Sequence, residues 1–350
     1  MKQKSKKHIR AILFGAGQMG MLAVKYLHER GGEIVAVVDR QSNIGKDIGE
    51  LAGIGTIGVP IHTSNDTDLS LLIQKTEANV ALHCSGVLGE IADQVKICLQ
   101  NGLDVLTLSE DAYYPHVTHP KLTKELNQLA IENGVSFVAV GMQDVTWSNE
   151  AVVLSGNCVS IESITCEHYG ILDGVGDTEI IKIRPGILPE EFYEYQKQKD
   201  ESEKRSPLTF ALFEIADELG LHITDENTPG QEPIIAKQDF ETPHGFTIHA
   251  GQTMGYVQST ELKTEEGITI IGKMVFTYAA EGAKGVNIWR FKGLPSFEVV
   301  TDDPAPFYGT IIDMIYRIPD VMNARPGFLT VKDLPKPRYR HGILSQYLND

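Results

Sequence analysis

The residues Gly15-Ala16-Gly17-Gln18-Met19-Gly20 stand between an apolar run, Ile9–Phe14, and a stretch of helical periodicity, Met21–Leu27. Few folds accept three glycines at that junction. Gly15 permits the tight turn out of a strand, Gly17 lets a pyrophosphate approach the backbone, and Gly20 lets the helix lie close to the strand. The helix start, with Ala16, Gln18 and Met19 around it, offers unpaired N–H groups and a partial positive charge to phosphate. A second apolar run, Ile34–Val38, ends at Asp39, 19 residues after Gly20. An acid at that spacing accepts hydrogen bonds from ribose hydroxyls. The expectation is a nicotinamide dinucleotide held by Gly15 to Gly20 and Asp39. Asp39 repels a 2′-phosphate and so favours NAD. Arg40 can stack on adenine or meet that phosphate, which keeps NADP open.

The same grammar continues to about residue 150. Val80–Cys84 reads as a strand running into Ser85 and Gly86, two further cofactor candidates. A helix over 89–100, a strand Val105–Leu108, a helix over 121–133 and a strand Phe137–Val140 follow. Apolar strands alternating with amphipathic helices predict an α/β, Rossmann-type, doubly wound parallel sheet over 1–150. Beyond it the strands lengthen and alternate: Val159–Tyr169, Ile234–Phe240, Phe246–Gln252, Gln258–Leu262, Gly267–Tyr278 and Gly285–Phe291. With helices over 188–220, they predict an α+β second domain at 151–304 with a mostly antiparallel or mixed sheet, for substrate and dimerisation. A helix over Phe307–Tyr316 opens a segment, about 305–350, expected to pack back on the first domain. The charged run Gln196–Arg205 reads as a solvated face.

Composition excludes several function classes. Lys and Arg number 31 against 47 Asp and Glu, a formal charge of −16. So acidic a chain repels nucleic acid and anionic lipid. No apolar run approaches the roughly 20 residues needed to span a bilayer. Cys84, Cys98, Cys158 and Cys166 match no zinc spacing and read as free thiols in a reducing cytoplasm. No metal is expected.

In an open parallel sheet, ligands bind beyond the carboxyl ends of the strands. Glu110 follows the strand Val105–Leu108, and a carboxyl there suits general acid–base work beside a nicotinamide. The alternative is a helix cap. Met142, Gln143 and Asp144 follow Phe137–Val140, with Trp147 close behind. Gln143 or Asp144 is placed to hold Glu110 or a substrate amine. Trp147 is either a pocket wall or core. His168 and Tyr169 close the strand that starts at Val159, as pocket residues or as core.

Taken together, these residues resemble the native amine dehydrogenases related to 2,4-diaminopentanoate dehydrogenase, whose N-terminal domain is similar to dihydrodipicolinate reductase. The resemblance spans nearly the whole chain. It rests on Gly15 to Gly20, Asp39-Arg40, Ser109-Glu110-Asp111 leading to Tyr114-Pro115, Gln252–Tyr256, and Asn323-Ala324-Arg325-Pro326-Gly327 before Asp333-Leu334-Pro335. The diaminopentanoate enzymes carry Asn-Pro-Gly where this chain has Met142 to Trp147, and the difference points to a smaller, more apolar substrate. The resemblance implies reversible NAD(P)H-dependent reductive amination of a small ketone or aldehyde with ammonia, with Glu110 as the acid–base. Met142, Gln143, Trp147, His168 and Tyr169 are the candidates around the substrate, and Asn323 reaches the nicotinamide carboxamide if the C-terminal helix returns to the first domain. A homodimer is expected. The rival readings are a 2,4-diaminopentanoate dehydrogenase proper, an alcohol or sugar dehydrogenase, and a dinucleotide sensor without turnover. The second lacks support because Asp111-Ala112, not Lys-Pro, follows Glu110.

Overall fold

The strand-forming runs are apolar enough to be buried on both faces, and that dictates helices above and below them. The computed structural model describes residues 8–349 apart from 42, 65–66, 200–202, 279–283, 303 and 305. Following the chain, β1 (Arg10–Phe14), β2 (Glu33–Asp39), β3 (Ile61–Thr63), β4 (Val80–His83), β5 (Asp104–Thr107) and β6 (Ser136–Ala139) alternate with α1 (Gln18–Glu29), α2 (Ile48–Leu51), α3 (Leu69–Thr76), α4 (Leu88–Gln100) and α5 (Pro120–Asn133). Every residue of β4, β5 and β6 is buried. Asp47 and Asp68 cap α2 and α3 with their carboxylates. Gly134, at φ +69°, stops α5. All strand pairs here are parallel, in the order β6-β5-β4-β1-β2-β3. The order reverses direction between β1 and β4. A crevice for ligands forms at such a reversal.

A π-helical stretch, Gln143–Asn149, leads out of this unit into α6 (Glu150–Ser155). Then come β7 (Ser160–Ile171), α7 (Asp177–Ile183), α8 (Pro189–Gln198), α9 (Pro207–Glu218), β8 (Ile223–Asn227), β9 (Glu232–Ile235), β10 (Phe240–Glu241), β11 (Thr247–Ile248), β12 (Thr253–Thr264), β13 (Thr269–Thr277), β14 (Val286–Leu294) and β15 (Phe297–Asp302). The order is β15-β14-β7-β13-β12-β8, with β9 also on β12; only β7 and β13 are parallel neighbours, so the sheet is mixed. Burial alternates along β12 and β13, as one covered face requires. Leu208 and Leu212 of α9 press on Gly272, where an added Cβ would lie 2.9 Å from Leu212 Cδ1.

The chain then returns. In α10 (Pro306–Asn323), Ile311, Met314, Ile315, Ile318, Val321 and Met322 are each 0–1% exposed against the first sheet's core. After it, β16 (Gly327–Leu329) adds in parallel to the β6 edge. The molecule thus has two units, 1–145 with 306–350, and 146–305.

Three sequence expectations change. Ile234–Phe240 is not one strand: β9 ends at Ile235 because its partner β12 begins at Thr253, and Phe240 pairs with Ile248 instead. Phe246–Gln252 shrinks to β11, since a turn closed by Gln252 N–H on the His249 carbonyl, with Gly251 at φ +90°, ends it. The helix expected over Phe307–Tyr316 runs through Pro319 to Asn323, because its apolar stripe continues. Of the charged run Gln196–Arg205, residues 200–202 lie outside the described residues; Arg205 pairs with Glu226 at 3.1 Å.

Candidate active site

The three glycines each do a separable job. Gly15 sits at φ +94°, a conformation that side chains disfavour. A Cβ on Gly20 would fall 2.0 Å from the Gly15 carbonyl oxygen, so helix and turn touch there. A Cβ on Gly17 would meet nothing within 4 Å, and Gly17 and Gln18 are exposed. The turn is therefore tight where it is structural and open where a phosphate would lie, above the first N–H groups of α1. Asp39 closes it from the side, its Oδ2 accepting Ala16 N–H at 2.7 Å and its Oδ1 accepting Gln41 N–H at 3.0 Å. Arg40 is exposed and pairs with Glu90 at 3.3 Å. Beside these strand ends opens a cavity of about 300 Å³, lined by Val38, Ser64, Thr67, Asp68, Gln94 and Ile97. Ser85 and Gly86 leave β4 directly beside the turn: Ser85 Oγ is 3.0 Å from where a Gly15 Cβ would stand, and Gly86 holds φ +82°.

Glu110 lies one strand further, at the start of a single 3-10 turn, Glu110–Ala112, and is exposed. Its neighbours are not. Ser109 and Asp111 are 5% and 4% exposed. The Ser109 hydroxyl donates to the Gly86 carbonyl at 2.8 Å, and both Asp111 carboxylate oxygens accept Leu88 N–H, at 2.9 and 3.1 Å. His119 Nε2 meets Asp111 Oδ2 at 2.9 Å. Burial pushes the Cys84 thiol up to about 12, which keeps it protonated at pH 7.

Met142 and Gln143 follow β6 and are both 6% exposed. Asp144, expected to hold Glu110 or a substrate amine, is instead committed to an arginine. It is fully buried and makes a bidentate pair with Arg317 of α10, at 2.6 and 2.9 Å. Arg317 also meets Asp320 at 3.3 Å and donates to the Pro335 carbonyl, while Asp313 accepts Gly141 N–H at 2.8 Å. Burial, then the adjacent Asp144, holds the Asp313 carboxyl well above its ordinary range. The available signal was an Arg inside an otherwise apolar helical stripe.

In the second unit, Trp147 and His168 pack edge to face with centroids 5.1 Å apart, both 3% exposed. Asn287 Oδ1 lies 3.3 Å from His168 Nδ1, and its amide nitrogen lies 3.5 Å from both the Thr146 carbonyl and Glu150 Oε2. Burial lowers His168 to about 4, so it is neutral at pH 7. Sequence reasoning had no signal for Asn287, which is 119 residues away from His168.

Two expected site residues are misplaced. Tyr169 cannot share a pocket with His168, because β7 runs on to Ile171 and adjacent strand residues face opposite sides. Its hydroxyl donates to Glu167 at 2.9 Å, beside Arg290, on the other face. Asn323 is at the wrong end of the sheet. The start of α10 lies by the carboxyl end of β6, where Thr310 approaches Gly141. Thirteen residues later, about 20 Å along the helix, Asn323 stands near the amino ends, its amide tied to the Tyr347 carbonyl and Asn349 N–H. Among the described residues, no cluster of His, Cys, Asp or Glu is arranged to hold a metal, and no helix is long and apolar enough to cross a membrane.

Residues 149–350 match the model of the 2,4-diaminopentanoate dehydrogenase C-terminal domain, and residues 9–107 that of the dihydrodipicolinate reductase N-terminus. The chain belongs to the 2,4-diaminopentanoate dehydrogenase family. It is 29% identical over 345 residues to 2,4-diaminopentanoate dehydrogenase of Acetoanaerobium sticklandii, covering 94% of each. The structure of amine dehydrogenase from Mycobacterium smegmatis is similar throughout, with TM-score 0.88, 27% identity, and coverage of 95% of this chain and 97% of that one. A shorter likeness, 41% over 81 residues, links 23% of the chain to 31% of 4-hydroxy-tetrahydrodipicolinate reductase of Archaeoglobus fulgidus. In this chain the two-unit plan is therefore a Rossmann unit that matches the reductase N-terminus, interrupted by an inserted mixed-sheet unit.

Proposed function

We propose that this chain is an NAD(P)H-dependent amine dehydrogenase that reductively aminates a small ketone or aldehyde with ammonia, and runs the reverse oxidation. Membership of a dehydrogenase family acting on CH–NH2 groups supports the reaction class. The observation that carries the reading is an exposed carboxylate, Glu110, at the carboxyl end of a strand, between two buried neighbours and next to the glycine turn's partner loop. The turn fits a dinucleotide: Gly17 leaves space for a pyrophosphate, and Asp39 at the end of β2 suits the ribose of NAD. When bound, the nicotinamide supplies a hydride to the substrate carbon.

The chain's own part is proton handling. Ammonia is mostly ammonium at neutral pH and must lose a proton before its nitrogen attacks the carbonyl. Glu110 accepts that proton. The carbinolamine must then gain a proton on its hydroxyl to leave as water, and Glu110 returns one. The ionised carboxylate also stabilises the iminium cation that remains. Met142 and Gln143 on the first unit are proposed as substrate contacts, and Trp147 and His168 are the candidates on the second.

The test is NADH and NADPH oxidation with small ketones, aldehydes and the ketone of 2,4-diaminopentanoate, with and without ammonium. Wild type should oxidise NADH in preference to NADPH, and only when ammonium is present. Glu110→Gln should lower that rate about 100-fold or more. Oxidation indifferent to ammonium would overturn the reading in favour of an alcohol or sugar dehydrogenase.

A further inference from the structure

The two residues beside Glu110 face inward, and both bind the same short loop. Ser109 Oγ receives the Thr107 hydroxyl at 3.1 Å and donates its own hydrogen to the Gly86 carbonyl at 2.8 Å. The hydroxyl therefore has one orientation, and Ser109 N–H is also fixed, on Thr107 Oγ1 at 3.0 Å. On the other side of Glu110, the Asp111 carboxylate takes Leu88 N–H on both oxygens. Leu88 begins α4, and the residue at its cap position is Val87, which offers no side-chain acceptor. A carboxylate 23 residues away in the chain thus supplies the cap and meets the positive end of the helix. His119 then fixes Asp111 from behind at 2.9 Å.

The outcome is a clamp with two jaws. One lies at Gly86, the other at Leu88, and they are set by the residues immediately before and after Glu110. The loop they grip is the one that passes beside Gly15. We propose that Ser109 and Asp111 are positioning residues that lock the Glu110 turn to the 86–88 loop, so that the acid–base carboxylate and the dinucleotide-side loop keep one geometry. This rests on the proposed role of Glu110. A near-attack geometry is sensitive to displacements of about 1 Å, and a 3-10 turn of three residues has no internal ladder to resist them. Neither residue needs to touch substrate or dinucleotide for its loss to slow the reaction.

The test compares Ser109→Ala, Ser109→Thr, Asp111→Asn and Glu110→Gln with wild type in the ammonium-dependent assay. Ser109→Ala and Asp111→Asn should each lower kcat about 10- to 100-fold. The KM for the carbonyl and the Kd for NADH should stay within about threefold. The primary isotope effect with 4-deuterated NADH should fall toward unity in both, because the proton transfers that form the iminium become slower than the hydride transfer that follows them. Ser109→Thr, which keeps the hydroxyl, should recover kcat to within about threefold. If Glu110→Gln abolishes turnover while folded Ser109→Ala and Asp111→Asn keep kcat and the isotope effect, the clamp is overturned and the function reading stands. If the two variants lose thermal stability but match wild type per folded molecule, their role is structural only, which also overturns the proposal. If Glu110→Gln turns over normally, the function reading itself falls. Ser109→Ala removes a single hydroxyl and decides the matter should Asp111→Asn not fold.

Discussion

His83, at the end of β4, has an imidazole that is 0% exposed and, among the described residues, has no hydrogen-bond partner on either nitrogen. It stacks on Phe14 with centroids 4.0 Å apart and planes 4° from parallel. A buried polar group left unpaired costs about 1–3 kcal/mol. His83→Leu should therefore leave the protein as stable or raise its stability by about 1 kcal/mol, read as a denaturation midpoint. Burial lowers the folded pKa of His83 from 6.5 to about 3, and that of His168 from 6.5 to about 4. The unfolded chain takes up these protons near 6.5 and the fold refuses them until far lower. Their contribution is thus present in full above 6.5 and is lost as pH falls toward the folded values. Tm should drop between pH 6.5 and pH 4, and less steeply in His83→Leu. At this scale the sequence was legible where a residue's neighbours in the chain decide its role. Gly15, Gly17 and Gly20 declare themselves by spacing. Asn287, Asp313 and His119 act on partners set by tertiary packing, and no local pattern marks them.

Among the elements, the turn between β1 and α1 separates fold from function within six residues. Gly20→Ala would drive a methyl against the Gly15 carbonyl, 2.0 Å away. Overpacking of this kind costs about 1–3 kcal/mol, so a fall in Tm should accompany any loss of activity. Gly17→Ala meets open space at an ordinary φ of −79°. Its Tm should match wild type while the Kd for NADH rises about tenfold or more by calorimetry; an unchanged Kd would remove Gly17 from the pyrophosphate site. Strand order made the positions of Ser85, Gly86 and Glu110 readable, because successive parallel strands deliver their carboxyl ends to one edge. The same rule fails where an element's length or direction is misjudged. Ending β7 at Tyr169 hides that His168 and Tyr169 face opposite ways. Stopping α10 at Tyr316 hides that Asn323 is carried to the amino ends of the sheet.

Across the whole molecule, the dinucleotide-type unit is discontinuous. The chain leaves it after Val145 and re-enters at Pro306. Exit and return are bolted together by Asp144, Asp313 and Arg317, with Arg340 of the tail joined through Asp320. Arg317→Met would strand the Asp144 carboxylate without its bidentate partner at 0% exposure. Breaking a buried pair from one side costs about 3–5 kcal/mol, so urea midpoints should fall accordingly. Asp313 carries the opposite pH sign to the histidines. Its folded pKa is raised from 3.8, so its contribution is complete below 3.8 and is lost as pH climbs to the folded value. Asp313→Asn should flatten that loss. The return segment also sets the order of assembly during synthesis. Residues 146–305 are finished while α10, β16 and the tail are still unmade, and domains fold as units as they emerge. The inserted unit is the younger part of the sequence to start but the first to be complete. The frame that carries it waits for α10 and β16 before its core, part-covered by α1, is closed.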